Sequence, residues 1–280
     1  MIDAANPYRG ATVVFATRHG KERQAADAFR DRLAARVVAP DDIDTDQFGT
    51  FTGDVERTRT PLGAALGKAL LGAALTGRPY ALASEATYTS TWGVLARHHE
   101  LLLFHDRERE MTLTENAVVT VRGHGTTTVA GAEDALAAAG RFGFPATYAV
   151  ALVEDGTGVV ARKGLADPDA LRAAVTELLA RGGPVHIGPD YRAHGNPERR
   201  VVLTSLAERM AYRLTQSCPA CRTPGWGVVG VERGLPCEVC GEPTAGITAD
   251  VFGCGMCDAT RPSPRPHATI SAQWCDACNP

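Results

Sequence analysis

The sequence predicts an α/β protein: a layered domain with a mixed β-sheet, followed by a small cysteine-rich module. Two observations favour this architecture. Helical and strand patterns alternate from residue 11 to residue 216, as they do in layered α/β domains. All eight cysteines lie between Cys218 and Cys278, and the preceding part of the chain contains none. We therefore expect two domains, at residues 1–216 and 217–280.

The first elements of the α/β domain are a strand, a Gly-containing loop and an amphipathic helix. The β-branched run Ala11–Thr17 predicts the strand. Apolar residues then recur at every fourth position of Lys21–Arg36, which indicates the helix. A short strand is expected at Val37–Ala39. The acidic stretch Asp41–Arg59 has no helical period, so we expect a long loop of the kind that is often functional.

The next elements are a second helix and a strand. Pro61 occupies the first helical position, Gly77 follows the helix end, and Tyr80–Ala83 is a strand that we expect to end at Ser84 and Glu85. The remaining predicted strands are Glu100–His105, Met111–Thr114, Ala117–Arg122, Tyr148–Val153, Val159–Lys163 and Val185–Ile187, with a Glu115–Asn116 turn between the second and third of these. The remaining predicted helices are Ala130–Phe142, Asp167–Arg181 and Asn196–Gln216.

The composition is that of a globular protein without a broad positive field. The chain has 280 residues, of which 44% are hydrophobic and 22% charged, and its net charge is -3. Nonspecific binding to nucleic acid depends on positive charge, so nucleic acid is not an expected partner. The most apolar segment, Pro61–Thr76, is short and contains Lys68, so no membrane span is expected.

Four CxxC pairs make up the cysteine-rich module. They are Cys218 and Cys221, Cys237 and Cys240, Cys254 and Cys257, and Cys275 and Cys278. A CxxC on a tight turn directs two thiolates to one ion, and two such turns complete a tetrahedral zinc site. The chain starts without the pattern of an export signal, so we expect a cytoplasmic protein with reduced thiols. The sequence therefore predicts a double zinc-ribbon module, and disulfides or redox-active pairs are the alternative.

Two pairings of the CxxC motifs fit this module. Gaps of 15, 13 and 17 residues separate the four pairs, and pairing them in order gives two zinc-ribbon spacings. The interleaved alternative joins the first pair to the third and the second to the fourth. We favour pairing in order. In either arrangement four thiolates close each site, so both zinc ions are expected to be structural.

The module is acidic, with four Arg against six Asp and Glu in residues 218–280. Because this charge repels a phosphate backbone, we expect a folded cap or a surface that docks a protein partner. Trp226 and Trp274 are candidate anchors for that partner, and packing against a zinc site is their alternative role.

Candidate ligand-binding residues lie in the α/β domain. Thr17, His19 and Lys21 occupy the loop before the first helix, where backbone N–H groups and the helix dipole favour a phosphate. Lys68 interrupts an apolar helix, and an exposed solubilising residue is the alternative. Glu85 follows a buried strand, where α/β domains place catalytic and metal-binding groups.

A second cationic group precedes the last predicted helix. Arg192, His194, Arg199 and Arg200 surround the expected helix start. Several Arg side chains and a His near a helix N-terminus form a good anion receptor, and a solvated helix start is the alternative. His98, His99 and His105 lack a metal-ligand spacing, and we expect them at the surface or at strand ends.

These stretches together resemble the inosine triphosphatase-like superfamily of nucleotide pyrophosphatases. The matching segments are collinear, and they are Thr17–Lys21, Ala65–Ala69 leading to Thr76–Pro79, Ala81–Glu85 and Phe142–Pro145. The resemblance implies an inosine triphosphatase-like fold for the α/β domain. It also implies a Mg2+-dependent reaction in which water attacks the α-phosphate and releases a nucleoside monophosphate and pyrophosphate.

The resemblance implies roles for five residues. Lys21 and Lys68 would bind the triphosphate, and Glu85 would hold Mg2+ or activate water. Phe142 or Phe144 would stack on the base. The paired acids of the superfamily correspond here to Ser84 and Glu85, which leaves one carboxylate. A second metal ligand would then come from one of three residues, Asp44, Asp46 or Asp106.

The whole chain also resembles an uncharacterised family with an A-T-R-H-x-K-E signature, a D-T-D-x-F-G-T-F-T-G motif and four CxxC pairs. Thr17–Glu22, Asp44–Gly53 and Cys278–Pro280 carry this match. It supplies an architecture and no mechanism. Two functional hypotheses follow: a zinc-binding protein that binds or hydrolyses a nucleotide, or a non-enzymatic ligand-sensing or protein-docking adaptor.

Overall fold

A computed structural model describes most of the chain, namely residues 5–51, 55–91, 95–122, 125–156 and 158–280. The contacts divide it into two compact units. One is Tyr8–Ala211, and the other joins Met1–Pro7 to Tyr212–Pro280. The chain is a mixed α/β protein with several sheets, as the sequence predicts. The described residues contain no helix long and apolar enough to cross a membrane.

The first sheet of Tyr8–Ala211 has five strands. They are β1 (Thr12–Phe15), β2 (Arg36–Val38), β3 (Tyr80–Thr91), β4 (Leu95–Asp106) and β5 (Met111–Arg122). Their order is β2-β1-β3-β4-β5, with β1 parallel to both of its neighbours and the remaining pairs antiparallel. The sheet is therefore mixed.

Two helices belong to this sheet, α1 (Glu22–Leu33) and α2 (Pro61–Thr76). The Thr60 side chain accepts a hydrogen bond from the Gly63 N–H, and Gly77 ends α2 in the left-handed conformation at φ 65°. This is the pattern that Pro61 and Gly77 predict. Small residues of α2 pack on the sheet, and a Cβ on Gly72 would lie 3.0 Å from the Ala16 Cβ.

The second sheet of this unit is antiparallel, with the order β6-β9-β7-β8. Its strands are β6 (Thr127–Val129), β7 (Ala149–Asp155), β8 (Gly158–Leu165) and β9 (Val185–Pro189). The helices α3 (Ala132–Gly140) and α4 (Pro168–Leu179) bury apolar side chains against it. A last helix, α5 (Pro197–Leu214), begins in this unit.

The cysteine-rich unit contains a three-stranded antiparallel sheet. Its strands are β10 (Gly227–Arg233), β11 (Ile247–Gly253) and β12 (Thr260–Pro264), in that order across the sheet. Most side chains of β10 and β12 are exposed, so the apolar core of this sheet is small. Hydrophobic packing alone is too weak to stabilise such a module, so it needs another source of stability, such as a bound metal ion.

Two strand predictions are wrong. The turn expected at Glu115 and Asn116 does not form, because both residues lie inside the continuous strand β5. Glu115 forms an ion pair with Arg209 at 2.9 Å, so its polarity reflects this pair and not a turn. The strand expected to end at Ser84 and Glu85 continues to Thr91, which places Glu85 in the middle of β3.

The acidic stretch between β2 and α2 is largely irregular, as expected. A short 3-10 turn, Asp46–Phe48, interrupts it. Residues 52–54 lie outside the described residues, so the end of the D-T-D-x-F-G-T-F-T-G motif is not described.

Candidate functional site

The eight cysteines form two quartets of free thiols. One contains Cys218, Cys221, Cys254 and Cys257, and the other contains Cys237, Cys240, Cys275 and Cys278. Within each quartet the sulfur atoms all lie within 4.8 Å of one another.

The spacing of the sulfur atoms agrees with the size of a zinc site. Between CxxC pairs, the distances are 3.7 Å for Cys218 and Cys257, and 3.6 Å for Cys240 and Cys275. A tetrahedral ion with Zn–S bonds of about 2.3 Å separates its sulfurs by about 3.8 Å. Each quartet can therefore hold one structural zinc ion with four thiolates.

The pairing within the quartets is interleaved, so the expected pairing in order is wrong. The register of the sheet explains this result. Gly227 at the start of β10 pairs with Gly253 at the end of β11, which brings the preceding and following CxxC turns together. The Cys237 turn follows the other end of β10, and its backbone bridges to Ile270. A strand of seven residues spans about 23 Å, so the first two CxxC turns cannot share one ion.

The two tryptophans of the module have different environments. Trp226 is 7% exposed, whereas Trp274 is 65% exposed. Trp226 is therefore a packing residue, and Trp274 remains the candidate for a surface contact.

A second candidate site is an open cavity in Tyr8–Ala211. The chain has 29 Lys and Arg, and only Lys21, Lys68 and Lys163 are lysines. All three line this cavity, which we call the lysine cavity. Three arginines line it as well, namely Arg57, Arg192 and Arg199.

Lys21 lies where the loop after β1 meets α1. Gly20 adopts φ 70°, which a residue with a side chain rarely does, and this turn directs the chain into the helix. The Lys21 Nζ donates to the Ser84 Oγ at 3.0 Å and to the Ser84 carbonyl at 3.3 Å. Burial, followed by the charges of Arg199 and Lys68, lowers the pKa of Lys21 to about 7.

Lys68 and Glu85 form a buried ion pair. Lys68 lies on the buried face of α2 and its Nζ contacts the Glu85 carboxylate on β3. The alternative of an exposed, solubilising Lys68 is therefore wrong. The pair places one positive and one negative group side by side in the wall of the cavity.

Arg199 belongs to a buried network that the sequence did not reveal. Its guanidinium donates to Glu100 from Nε at 2.8 Å and from Nη2 at 3.0 Å. The Nε2 of His98 lies 2.9 Å from the same carboxylate. Burial raises the pKa of Glu100, but Arg199 and His98 outweigh it and lower the pKa to about 2. His98 is thus buried, and its expected surface position is wrong.

The other predicted ligand-binding residues divide into two groups. Thr17, His19 and Arg192 line the lysine cavity. Arg192 is also paired with Asp190 at 2.6 Å. His194 contacts the His19 ring, with 5.1 Å between the ring centroids.

The two phenylalanines lie elsewhere. Phe142 lines a neighbouring cavity of about 750 Å³ together with Tyr88, His98 and Tyr191. Phe144 packs against the hydrophobic core of the second sheet. Their expected role in stacking on a base stays a prediction.

Of the three aspartates proposed as second metal ligands, Asp44 and Asp46 are neighbours and Asp106 lies in a different environment. Asp46 lines the lysine cavity, and the Asp44 Oδ1 accepts from the Asp46 N–H at 3.0 Å. Asp106 is buried and accepts from the Tyr8 hydroxyl at 2.8 Å and from Arg109. Apart from the cysteine quartets, no three His, Cys, Asp or Glu of the described residues are grouped closely enough to hold a metal ion.

Sequence reasoning missed Arg57, Glu100 and Lys163. For Lys163 a signal was available, because a chain that uses Arg for nearly every cation has retained Lys at three positions only. The Lys ammonium is a compact charge and loses its proton readily when it is buried, whereas the Arg guanidinium stays charged. Lys and Arg are therefore not equivalent in a binding site. Glu100 offered no such signal, since one acid in a strand is usually solvated.

Two comparisons with known proteins bear on the chain's relationships. No curated protein matches the chain. A family described as a domain of unknown function, DUF6671, matches residues 68–280, which include Lys68, Glu85, Arg199 and all eight cysteines. This match covers more than half of the chain and agrees with the expected uncharacterised family with C-terminal CxxC pairs. The chain therefore belongs to the DUF6671 family.

Proposed function

We propose that the Tyr8–Ala211 unit binds a nucleotide or another phosphorylated small molecule, and that the cysteine quartets hold structural zinc. The convergence of Lys21, Lys68 and Lys163 on one cavity carries this proposal. These residues come from a loop, a helix and a strand that are distant along the chain. Lysines scattered for solubility would not collect at one place.

The charges around the cavity favour an anion. Six Lys and Arg line it, against two carboxylates, Asp46 and Glu85. Asp190 and Glu100 neutralise Arg192 and Arg199 from outside the lining, and the balance remains positive. Such a surplus in a partly enclosed site attracts a group with several negative charges, such as a diphosphate or triphosphate.

An aromatic cluster beside the cavity supports a nucleotide over a bare phosphate. Phe51 lines the lysine cavity and packs against Tyr88 and Tyr191, with centroid distances of 5.7 and 5.6 Å. Tyr88 and Tyr191 contact each other at 4.1 Å and line the neighbouring cavity. A nucleotide could place its phosphates in the lysine cavity and its flat base against the aromatic side chains of the neighbouring cavity.

The finer proposal is hydrolysis of a nucleoside triphosphate by an inosine triphosphatase-like domain. Mg2+ bound to the phosphates would neutralise charge that develops on their oxygens. Glu85 and Asp46 are the carboxylates that line the cavity, and they would hold such an ion. Because Lys68 engages Glu85, the protein alone offers a weak cation site, and the ion would arrive with the ligand.

The experiment is a calorimetric and thermal-shift titration of the full chain with pyrophosphate, inorganic triphosphate, and standard and deaminated nucleoside triphosphates, each with and without Mg2+. We expect binding that weakens at least tenfold in Lys21→Met. Arg172→Gln is the control, since Arg172 lies in an exposed ion pair on α4. If no phosphorylated compound binds, the proposal is wrong. Release of pyrophosphate in the same samples tests the hydrolysis.

The second candidate function is a non-enzymatic adaptor that docks a protein partner through the zinc module. The exposed Trp274 favours it, together with a groove lined by Arg233, Arg265 and Ile270. This candidate predicts that the lysine cavity binds no phosphorylated compound. Trp274→Ala should leave any phosphate binding unchanged, which separates the two functions.

A further inference from the structure

We propose that His19 is the proton acceptor for hydrolysis in the lysine cavity, and that Asp46 is its positioning residue. This inference rests on the proposed function, because it needs a phosphorylated ligand in the cavity. It goes further by assigning the group that activates water.

The loop after β1 fixes the position of His19. Its backbone N–H donates to the Thr17 Oγ1 at 3.1 Å, and Gly20 continues the turn with φ 70°. The His19 side chain is 16% exposed and lines the cavity alongside Lys21 and Arg199. The turn therefore fixes the backbone from which the His19 side chain reaches the cavity.

Asp46 faces the imidazole from the 3-10 turn after β2. The Asp46 Oδ1 lies 3.5 Å from the His19 Nε2, and this buried nitrogen has no hydrogen-bond partner. A small rotation of either side chain would complete the bond. Arg18 lies 3.8 Å from the same carboxylate. A carboxylate beside an imidazole orients the ring and stabilises the imidazolium that forms when it takes a proton.

The two segments that meet here are the N-terminal motifs of the sequence. His19 lies in Thr17–Glu22 and Asp46 lies in Asp44–Gly53. Both precede residues 68–280, so the match to DUF6671 assigns neither of them. The structure gives these motifs a common location at one cavity.

The other acids near the cavity are already engaged by cations. Lys68 contacts Glu85, Arg199 binds Glu100, and Arg192 binds Asp190. A carboxylate neutralised by an adjacent cation is a poor proton acceptor. Glu85, which the family resemblance implies as a candidate base, is therefore less suited to this role than His19.

Three charged or titratable groups face His19 and Asp46. They are Arg18, His194 and Lys163. Burial lowers the pKa of His194, and the Arg192 charge acts in the same direction, so the neighbouring ring stays uncharged near neutral pH. No imidazolium from His194 then repels a positive charge at this point of the cavity.

The step balances as a hydrolysis. A water oxygen forms a bond to the α-phosphorus while the bond from that phosphorus to the bridging oxygen breaks. The electron pair of the broken bond leaves with pyrophosphate, and the water proton moves to the Nδ1 of His19, because the Nε2 faces Asp46. His19 later releases this proton to solvent, so the net reaction consumes one water and yields nucleoside monophosphate, pyrophosphate and a proton.

The test measures binding and turnover of the same standard and deaminated nucleoside triphosphates, with Mg2+, in the full chain and three variants. His19→Ala should lower kcat by about 10²–10⁴-fold with little change in KM, as expected on loss of a general base. Added imidazole should restore part of the rate. Asp46→Asn should lower kcat by less. His99→Ala is the matched control, because His99 is exposed and bonded to Asn116.

Each outcome bears on a different claim. No binding of any nucleotide rejects the proposed function itself. If the unmodified chain binds a nucleotide but does not hydrolyse it, the ligand site is supported and the role of His19 is rejected. The role of His19 is also rejected if His19→Ala keeps the full rate. It is rejected as well if the variant is slow and added imidazole restores none of the rate.

Discussion

Lys68 of α2 and Glu85 of β3 form an ion pair in which the two side chains are 9% and 10% exposed. This contact joins α2 to the middle of β3 and so holds the helix at a fixed place on the sheet. An incoming phosphate would compete with Glu85 for Lys68. The pair therefore links the packing of α2 to the proposed ligand site.

Lys68→Met should destabilise the Tyr8–Ala211 unit, because it leaves the buried Glu85 charge without its ion-pair partner. Breaking a buried pair from one side costs about 3–5 kcal/mol. Lys68→Met combined with Glu85→Gln should recover much of this loss, because no net charge then remains buried. Denaturant unfolding measures the effect. Arg162→Gln is the comparison, since its partner Glu177 is exposed and such pairs contribute about 0–1 kcal/mol.

Anion binding should weaken as pH rises through the pKa of Lys21. This pKa is lowered from 10.5 to about 7, so the ammonium that attracts a phosphate is lost above neutrality. Binding of pyrophosphate should then take up a proton near pH 8, which calorimetry in buffers of different ionisation enthalpy detects. Lys21→Arg should abolish the proton uptake, because a guanidinium stays charged. Equal affinity at pH 6 and pH 9 would contradict this prediction.

The lowered pKa of Lys21 also predicts how the free energy of unfolding depends on pH. Between pH 7 and pH 10.5 the unfolded chain keeps a proton on Lys21 that the folded chain has lost. Stability therefore increases with pH across this window as far as Lys21 is concerned. Lys21→Met should remove that contribution. The difference between the unfolding free energies of the two proteins, measured at several pH values, isolates it.

The sequence predicts those features of the structure that depend on residues close together in the chain. Pro61 and Gly77 mark the ends of α2, and the CxxC motifs mark the metal ligands, because both signals act within a few residues. The quartet pairing depends on the register of β10 and β11, which no local spacing contains. The burial of His98 was missed for the same reason, since Glu100 and Arg199 are 99 residues apart.

Glu100→Gln should destabilise the fold more than most single polar substitutions. The change removes the charge that neutralises Arg199, and the Arg199 guanidinium is only 3% exposed. An unpaired charge at that depth costs about 3–5 kcal/mol. Because Gln keeps the size of Glu and can still accept hydrogen bonds, a loss of this size is electrostatic. Glu177→Gln on α4 is the control, because Glu177 is 51% exposed and its partner Arg162 is 40% exposed.

Zinc content should distinguish interleaved pairing from pairing in order. The double variant Cys221→Ser with Cys254→Ser removes two ligands from one quartet, so it should retain one zinc per chain while the unmodified chain holds two. Cys221→Ser with Cys240→Ser damages both quartets and should lose both ions. Pairing in order predicts the reverse for both variants. Because four-thiolate sites contribute about 10–16 kcal/mol of apparent binding free energy, each lost ion should also loosen the unit around it. Metal analysis of purified protein, with proteolysis as a second measurement, decides between the two arrangements.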